Sequence, residues 1–247
     1  MRGRAPHGWR ALPVAVIIAC TVNTGCAAAT PGGPGPSPTV PPSPSGTPSA
    51  VVPSNGTTAP SDGARRAGLI DVTTFLPDAV IDLRYATADN FVGVRLYPAG
   101  AKCLVHESMR VGLTTAAAIL RERGERIVFW DCYRPHSVQV TMFEKVPNPA
   151  WVAAPGAYSR SHETGRSVDV TLTSGHGLVD MGTDFDAFTP QAAAHATSGV
   201  TAAQQANRAR LRAAMAAGGL SAYAGEWWHF DGPGAGVQRA IVDVPVN

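Results

Sequence analysis

Residues 30–66 run through Pro, Gly, Ser, Thr and Ala with almost no large apolar side chain. Such a stretch cannot bury enough apolar surface to offset its ordering entropy, so it reads as an extended, disordered tether without chemistry of its own. It splits the chain into a leader at residues 1–29 and a segment at 67–247 that is one domain's worth of sequence. Only the second is long enough to build a core.

The leader has the pattern of an export signal. Arg2, Arg4 and Arg10 precede an apolar run at residues 11–19, too short to span a bilayer. Ile17-Ile18-Ala19-Cys20 and Thr24-Gly25-Cys26 both resemble lipoboxes. The first has the better apolar residue three positions before its cysteine; the second leaves a longer apolar region. Export is expected, with a lipid anchor at Cys20 or Cys26 on the outer side of the membrane, or with secretion to the wall after cleavage at 27–29. Asn55-Gly56-Thr57 matches a glycosylation sequon and reads as a chance match.

A formal net charge of +2 without a basic stripe argues against nucleic acid as a partner. Any membrane contact is expected through the N-terminal anchor. Neither Cys103 nor Cys132 has a second cysteine at ligand spacing nearby, which argues against zinc binding there. In an oxidising compartment such a pair is more often bridged than free, so a disulfide is expected, two buried thiols being the alternative.

Within the domain, residues 79–85 alternate with Ile81, Leu83 and Tyr85 on one face, as in a strand. Residues 107–123 read as a helix with Val111, Ile119 and Leu120 on its apolar side, stopped by Gly124. Residues 126–133 form a second expected strand, ended by Arg134-Pro135. A third carries Val168, Val170 and Leu172 on one face and Asp169 on the other. Residues 201–217 read as a helix and 223–230 as an aromatic strand. Strands and helices without regular βαβ repeats point to an α+β domain, mainly an antiparallel sheet flanked by helices.

The chemistry lies in two short segments. Ser161-His162-Glu163-Thr164-Gly165-Arg166-Ser167-Val168-Asp169 holds an imidazole and a carboxylate, with a glycine that lets the chain turn between them. Glu226-Trp227-Trp228-His229 adds a second imidazole and a second carboxylate. Together they hold the parts of a catalytic metal site: three ligands, an open position and a base. Positions i and i+3 share a face on a helix but not on a regular strand, so Glu226 and His229 need a bulge or strand end to face one site. Arg134, at a stiff junction before Pro135, can aim a planar fork at a carboxylate or oxyanion, or stand as a solvated charge. His106, His136, His176 and His195 have no partner at ligand spacing and read as surface or supporting residues.

These residues sit in a longer series of motifs. It includes Asp82-Leu83-Arg84-Tyr85-Ala86-Thr87-Ala88-Asp89-Asn90-Phe91, Trp130-Asp131-Cys132-Tyr133-Arg134-Pro135, Asp169-Val170-Thr171-Leu172 and Met181-Gly182 with Phe185-Asp186. Asn207-Arg208, Arg210-Leu211-Arg212 and Glu226-Trp227-Trp228-His229 complete it. In that order they resemble the D-alanyl-D-alanine dipeptidases of VanX type, zinc peptidases related to D-Ala-D-Ala carboxypeptidases and the Hedgehog N-terminal fold.

The resemblance implies His162, Asp169 and His229 as ligands of one zinc ion, Glu226 as general base and acid, and Arg134 as stabiliser of the tetrahedral intermediate. It also implies that Asp186 holds a substrate ammonium, that Ser161 lies near the substrate carboxylate, and that residues 174–188 help close a pocket around a dipeptide. This chain departs from the family in having Arg160 where a small serine is usual. Export also separates it from the cytosolic pool on which the best-known members act.

The expected activity is zinc-dependent hydrolysis of D-Ala-D-Ala or a related peptidoglycan-derived dipeptide. Three rivals stand beside it: an exported carboxypeptidase or endopeptidase that trims peptidoglycan stems with the same metal centre, a non-haem iron oxygenase, in which Glu226 would have no role, and a non-catalytic wall-binding module, against which the set of ligands plus base argues.

Overall fold

A computed structural model describes residues 59–247, which lie within one compact unit. The expected signal segment, Cys20, Cys26, Asn55 and most of the expected tether lie outside the described residues. The described part begins with a short helix, α1 (Asp62–Arg66), ahead of the boundary expected at residue 67. Ser61 caps it by accepting from the Ala64 N–H, and Ala64 is fully buried. A local cap thus orders a turn whose composition resembles a tether.

The remaining elements are β1 (Leu69–Asp71), β2 (Val80–Ile81), β3 (Leu104–His106), α2 (Arg110–Arg121), β4 (Arg126–Asp131), α3 (His136–Lys145), β5 (Ser167–Ser174), β6 (Gly177–Leu178), α4 (Ala202–Ala217), β7 (Ser221–Ala222) and β8 (His229–Asp231). β1 and β3 form a two-stranded sheet. The main sheet has the order β2-β4-β5-β8-β7, with β6 also on β5. All its pairs are antiparallel except β2 with β4. The fold is α+β, with helices against a mostly antiparallel sheet.

β5 is central, and seven of its eight residues are buried, from Ser167 to Thr173. It is therefore covered on both faces, so its polar alternation does not mark a solvent side. Its register sets Asp169 opposite Asp131 of β4 on one flank and opposite His229 of β8 on the other.

Three expected elements differ in detail. The strand at 79–85 stops at Ile81, and Arg84–Ala86 is a 3-10 turn. The Asp82 N–H makes a last bond to the Phe129 carbonyl, and the turn then carries Tyr85 inward, where its carbonyl accepts from the N–H groups of Leu96 and Tyr97. The face of α2 is also different: Val111 is 76% exposed, and the buried stripe is Gly112, Leu113, Ala116, Ala117 and Leu120. At about 100° per residue, Val111 and Leu120 lie on opposite sides of the helix. The aromatic strand at 223–230 is mostly a loop, with only its end in β8.

α3 follows Pro135 where a loop was expected. α2 and α4 approach through two glycines: a Cβ on Gly112 would run into the Gly218 carbonyl, and one on Gly218 into the Gly112 carbonyl. Larger residues at either position would force the helices apart. Cys103 and Cys132 form a disulfide with Cα atoms 5.3 Å apart, tying the approach to β3 to the end of β4. Among the described residues no helix is long and apolar enough to cross a membrane.

Candidate active site

His162 lies in a 3-10 turn, Ser161–Thr164, immediately before β5. The turn closes through Gly165 at φ +67°, where a Cβ would come within 2.6 Å of Leu69 Cδ2 and 2.8 Å of the His106 nitrogen. Only glycine fits there without strain. This reversal swings His162 back over Asp169, two residues into β5.

The second segment solves its own geometric problem. The Tyr223 N–H bonds to the His229 carbonyl and the Glu226 N–H to the Tyr223 carbonyl, which makes residues 223–226 a tight reversal. Trp227 and Trp228 then run into β8, the Trp227 N–H bonding to the Ala192 carbonyl and the Trp228 carbonyl accepting from the Val170 N–H. Both indoles are buried. Glu226 in the turn and His229 at the strand's first position thereby face one site, with Glu226 Oε2 3.9 Å from His229 Nδ1.

Three ligand atoms converge. His162 Nε2 and His229 Nδ1 are 3.1 Å apart, His162 Nε2 and Asp169 Oδ1 3.3 Å, and His229 Nδ1 and Asp169 Oδ1 3.0 Å. A tetrahedral ion with bonds of about 2.0–2.1 Å has ligand–ligand edges near 3.3 Å. The triangle fits such an ion.

The tautomers fit it too. His162 Nδ1 lies 2.8 Å from the Cys132 carbonyl, an acceptor only, so Nδ1 carries the hydrogen and Nε2 presents its lone pair. His229 Nε2 lies 3.0 Å from Asp231 Oδ1, which leaves Nδ1 for the cation. Without a cation the cluster holds a proton. Burial alone would lower the His229 pKa, but hydrogen bonds to Asp169 and Asp231 outweigh it and raise it to about 10. Asp169 moves the other way: burial would raise it, but His162 and His229 hold its carboxyl far below the ordinary range.

Arg134 is not a solvated charge. Its Nε and Nη2 donate to Asp131 Oδ2 at 3.1 and 2.6 Å, and Nη1 donates to Gln139 Oε1 of α3 at 2.8 Å. Its guanidinium lies over the Tyr85 ring, 5.3 Å from the centroid. These contacts engage three of the five N–H donors of the fork. Asp131 Oδ2 is also 3.6 Å from His162 Nδ1, so one buried carboxylate braces both the cation and the first ligand.

Asp186 accepts a hydrogen bond from the Tyr85 hydroxyl at 2.9 Å and adopts φ +55°, a conformation that aspartate tolerates better than most residues. Burial, reinforced by the nearby charge of Asp169, pushes its carboxyl well above the usual range. Glu226 is raised for the same two reasons, burial first, against the opposing pull of His229, His162 and Arg134. A carboxyl group poised this way is suited to exchanging a proton.

The Ser161 hydroxyl is engaged elsewhere. It lies 2.8 Å from Ser167 Oγ, whose hydroxyl bonds Asp231 Oδ1, the same oxygen that holds His229. In this arrangement Ser161 is the outer end of a chain that supports the second imidazole. A cavity of about 750 Å³ joins Arg134, Ser161, His162, Asp169, Asp186, Glu226 and His229. The Ser174–Phe188 stretch contributes Asp186 and Phe188 to its wall, and Trp151 stacks on Phe188 with ring centroids 4.9 Å apart.

Tyr85, Asp131 and Asp231 support the site without being expected there from the sequence. Asp231 was detectable, because it stands two residues after His229 on a strand and so shares its face. Asp131 was not, because a register shift between Phe129 and Asp131 breaks the strand period. The four remaining domain histidines are not ligands: His136 Nδ1 pairs with Glu163 at 2.7 Å, His106 meets Ser108 and Arg166, and His176 and His195 are exposed.

Comparison with known proteins is consistent with this geometry. Residues 65–247 match the model of the M15 peptidase family, described as D-Ala-D-Ala dipeptidase. A D-alanyl-D-alanine dipeptidase of Escherichia coli strain K12 is 35% identical over 176 residues, covering 71% of this chain and 90% of that protein. One from Enterococcus faecium is 30% identical, covering 64% and 89%, and one from Streptomyces coelicolor is 31% identical, covering 60% and 83%.

Proposed function

This chain belongs to the M15 peptidases, the D-Ala-D-Ala dipeptidase family, and on that premise we propose that it is a zinc-dependent dipeptidase cleaving D-Ala-D-Ala or a related peptidoglycan-derived dipeptide. The observation that carries the reading is the ligand triangle of His162, Asp169 and His229 beside Glu226, in one cavity with Arg134 and Asp186. Family membership makes the chain a peptidase, which removes the non-catalytic wall-binding module from consideration.

His162, Asp169 and His229 would hold the zinc ion, which when bound supplies Lewis-acid polarisation of the scissile carbonyl and acidifies water. Glu226 takes the proton of the attacking water and returns it to the leaving amine, a task suited to a carboxyl group raised by burial. Arg134, with two donors still free and its orientation fixed by Asp131 and Gln139, stabilises the developing oxyanion. Asp186, oriented by the Tyr85 hydroxyl, accepts the substrate's ammonium group. Trp227 and Trp228 keep the region behind the site dry, which strengthens each of these charges.

A second reading has an observation in its favour. The cavity, near 750 Å³, falls in the upper part of the roughly 300–1,000 Å³ typical of sites for larger small molecules. That is more room than two alanines fill, and it suits an exported carboxypeptidase trimming longer stem peptides. Export itself is part of the proposal. It is supported by the basic and apolar leader with its two lipobox-like cysteines, and by a disulfide that needs an oxidising compartment. Sequencing of the mature N-terminus by mass spectrometry, with a search for a lipidated Cys20 or Cys26, tests it.

The deciding experiment for activity is alanine release by the zinc-loaded protein from D-Ala-D-Ala and, in parallel, from a pentapeptide stem ending in the same dipeptide. Preference for the dipeptide supports the first reading and preference for the stem the second. Release from neither refutes both.

A further inference from the structure

The catalytic cavity is lined by several carboxylates, Glu163, Asp169, Asp186, Glu226 and Asp231, and by two cationic side chains, Arg134 and Arg160. The two arginines are in opposite situations. Arg134 is buried and already tied to Asp131 and Gln139. Arg160 is exposed at the cavity wall, and among the described residues no carboxylate lies within ion-pair distance of it. Its contact is the face of Tyr158, whose centroid is 5.9 Å from the guanidinium carbon.

The backbone carrying Arg160 is held firmly on both sides. Ser159 exchanges two hydrogen bonds of 2.9 Å with Arg239, and the Ser161 N–H bonds to the Ala235 carbonyl at 2.8 Å. The Arg160 carbonyl accepts from Glu163 at 3.0 Å, which closes the turn that carries His162. A cation two residues before a metal ligand, fixed in backbone and free at its head, is placed to meet an anionic group of whatever molecule the metal site engages. The hydroxyl that would otherwise serve, that of Ser161, is directed to Ser167.

Resting on the dipeptidase reading above, we propose that Arg160 is a specificity residue that recognises the free carboxylate of the substrate's leaving residue. The cavity then has two poles, Asp186 with Tyr85 for the ammonium and Arg160 for the carboxylate, with the ligand triangle and Glu226 also on its wall. This arrangement selects short zwitterionic peptides, or chain ends with a free carboxylate, and rejects internal amide bonds. A planar guanidinium matches a carboxylate through two parallel N–H donors, and the Tyr158 ring limits the positions the fork can take.

The test compares the zinc-loaded full chain acting on D-Ala-D-Ala and on D-alanyl-D-alanine amide, in wild type, Arg160→Ala and Arg160→Gln. Wild type is expected to favour the free acid by about tenfold or more in kcat/KM, mostly through KM. Both variants are expected to bring the two substrates within about threefold of each other in kcat/KM, through loss of the advantage of the free acid. Zinc content and thermal unfolding should match wild type, because the side chain is exposed. Variants that keep the wild-type preference for the acid overturn the assignment of Arg160, while leaving the dipeptidase reading intact. Failure of wild type to cleave either compound overturns that reading, and this inference with it.

Discussion

Asp169 and His229 face each other across the β5–β8 register, with Asp169 Oδ1 3.0 Å from His229 Nδ1. Two residues 60 positions apart in sequence therefore become neighbours in the candidate ligand triangle through the hydrogen bonds of a sheet. Their placement makes the second ligand as rigid as the sheet itself, and it leads directly to a set of expectations.

Glu226 lies outside the candidate ligand triangle, with its Oε2 3.9 Å from His229 Nδ1. Glu226→Gln is expected to lower kcat by about a hundredfold to ten-thousandfold while zinc stays bound at one per chain. Steady-state kinetics beside metal analysis reads both. Activity within a fewfold of wild type would show that another group moves the proton.

Asp231 orients His229 through Nε2 without itself belonging to the ligand triangle. Its removal in Asp231→Ala should weaken zinc binding by about 10- to 100-fold, because the imidazole loses both its fixed tautomer and its basicity. Chelator competition measures the affinity. An unchanged constant would mean that Asp231 only caps the sheet.

Zinc binding should release a proton. In the metal-free protein the His229 pKa is raised to about 10 from an ordinary value near 6.5. A raised pKa contributes stability that is fully present below about 6.5 and is lost as pH rises through about 10. Zinc displaces this proton, so its affinity should climb with pH up to about 10 and then level off. Calorimetric titration at pH 7.5 in buffers of different ionisation enthalpy should show about one proton released; none released would contradict the protonated His229.

The disulfide couples stability to the site, because the carbonyl of Cys132 fixes the His162 tautomer. Closing a loop of 29-residue separation is worth about 3–4 kcal/mol by the chain-entropy account. Reduction, or the double change Cys103→Ala with Cys132→Ala, should cost about that much in denaturant unfolding of the metal-free protein. A loss under about 1 kcal/mol would show that the bridge constrains little in the unfolded chain.

Much of the fold could be read from periodicity where periodicity governs. The helix at Ala202–Ala217 has a Thr201–Gln204 capping box, β4 holds an apolar run at residues 127–130, and β5 alternates Val168, Val170 and Leu172 with polar residues. Local pattern misleads where a residue's type and its position on the element disagree, or where a distant partner claims the side chain. Val111 is apolar, yet its angle around the helix puts it in solvent. Tyr85 continues the alternation of a strand in sequence, but it sits in a turn that brings its hydroxyl to Asp186.

By itself the sequence determined the chemical inventory. Two imidazoles and two carboxylates in two short segments supply the parts of a metal site, and the composition of residues 30–66 sets the expectation of a tether ahead of the domain. The tertiary structure alone decided how that inventory is used. Inter-strand hydrogen bonds set which ligands are neighbours, and the reversal at residues 223–226 turned Glu226 toward the same cavity as His229. The Cys132 carbonyl and Asp231 chose the nitrogen that each histidine presents. The reason is directional. Side-chain periods are local, whereas the lone pairs of a site are aimed by partners distant in sequence, brought close only when the sheet closes.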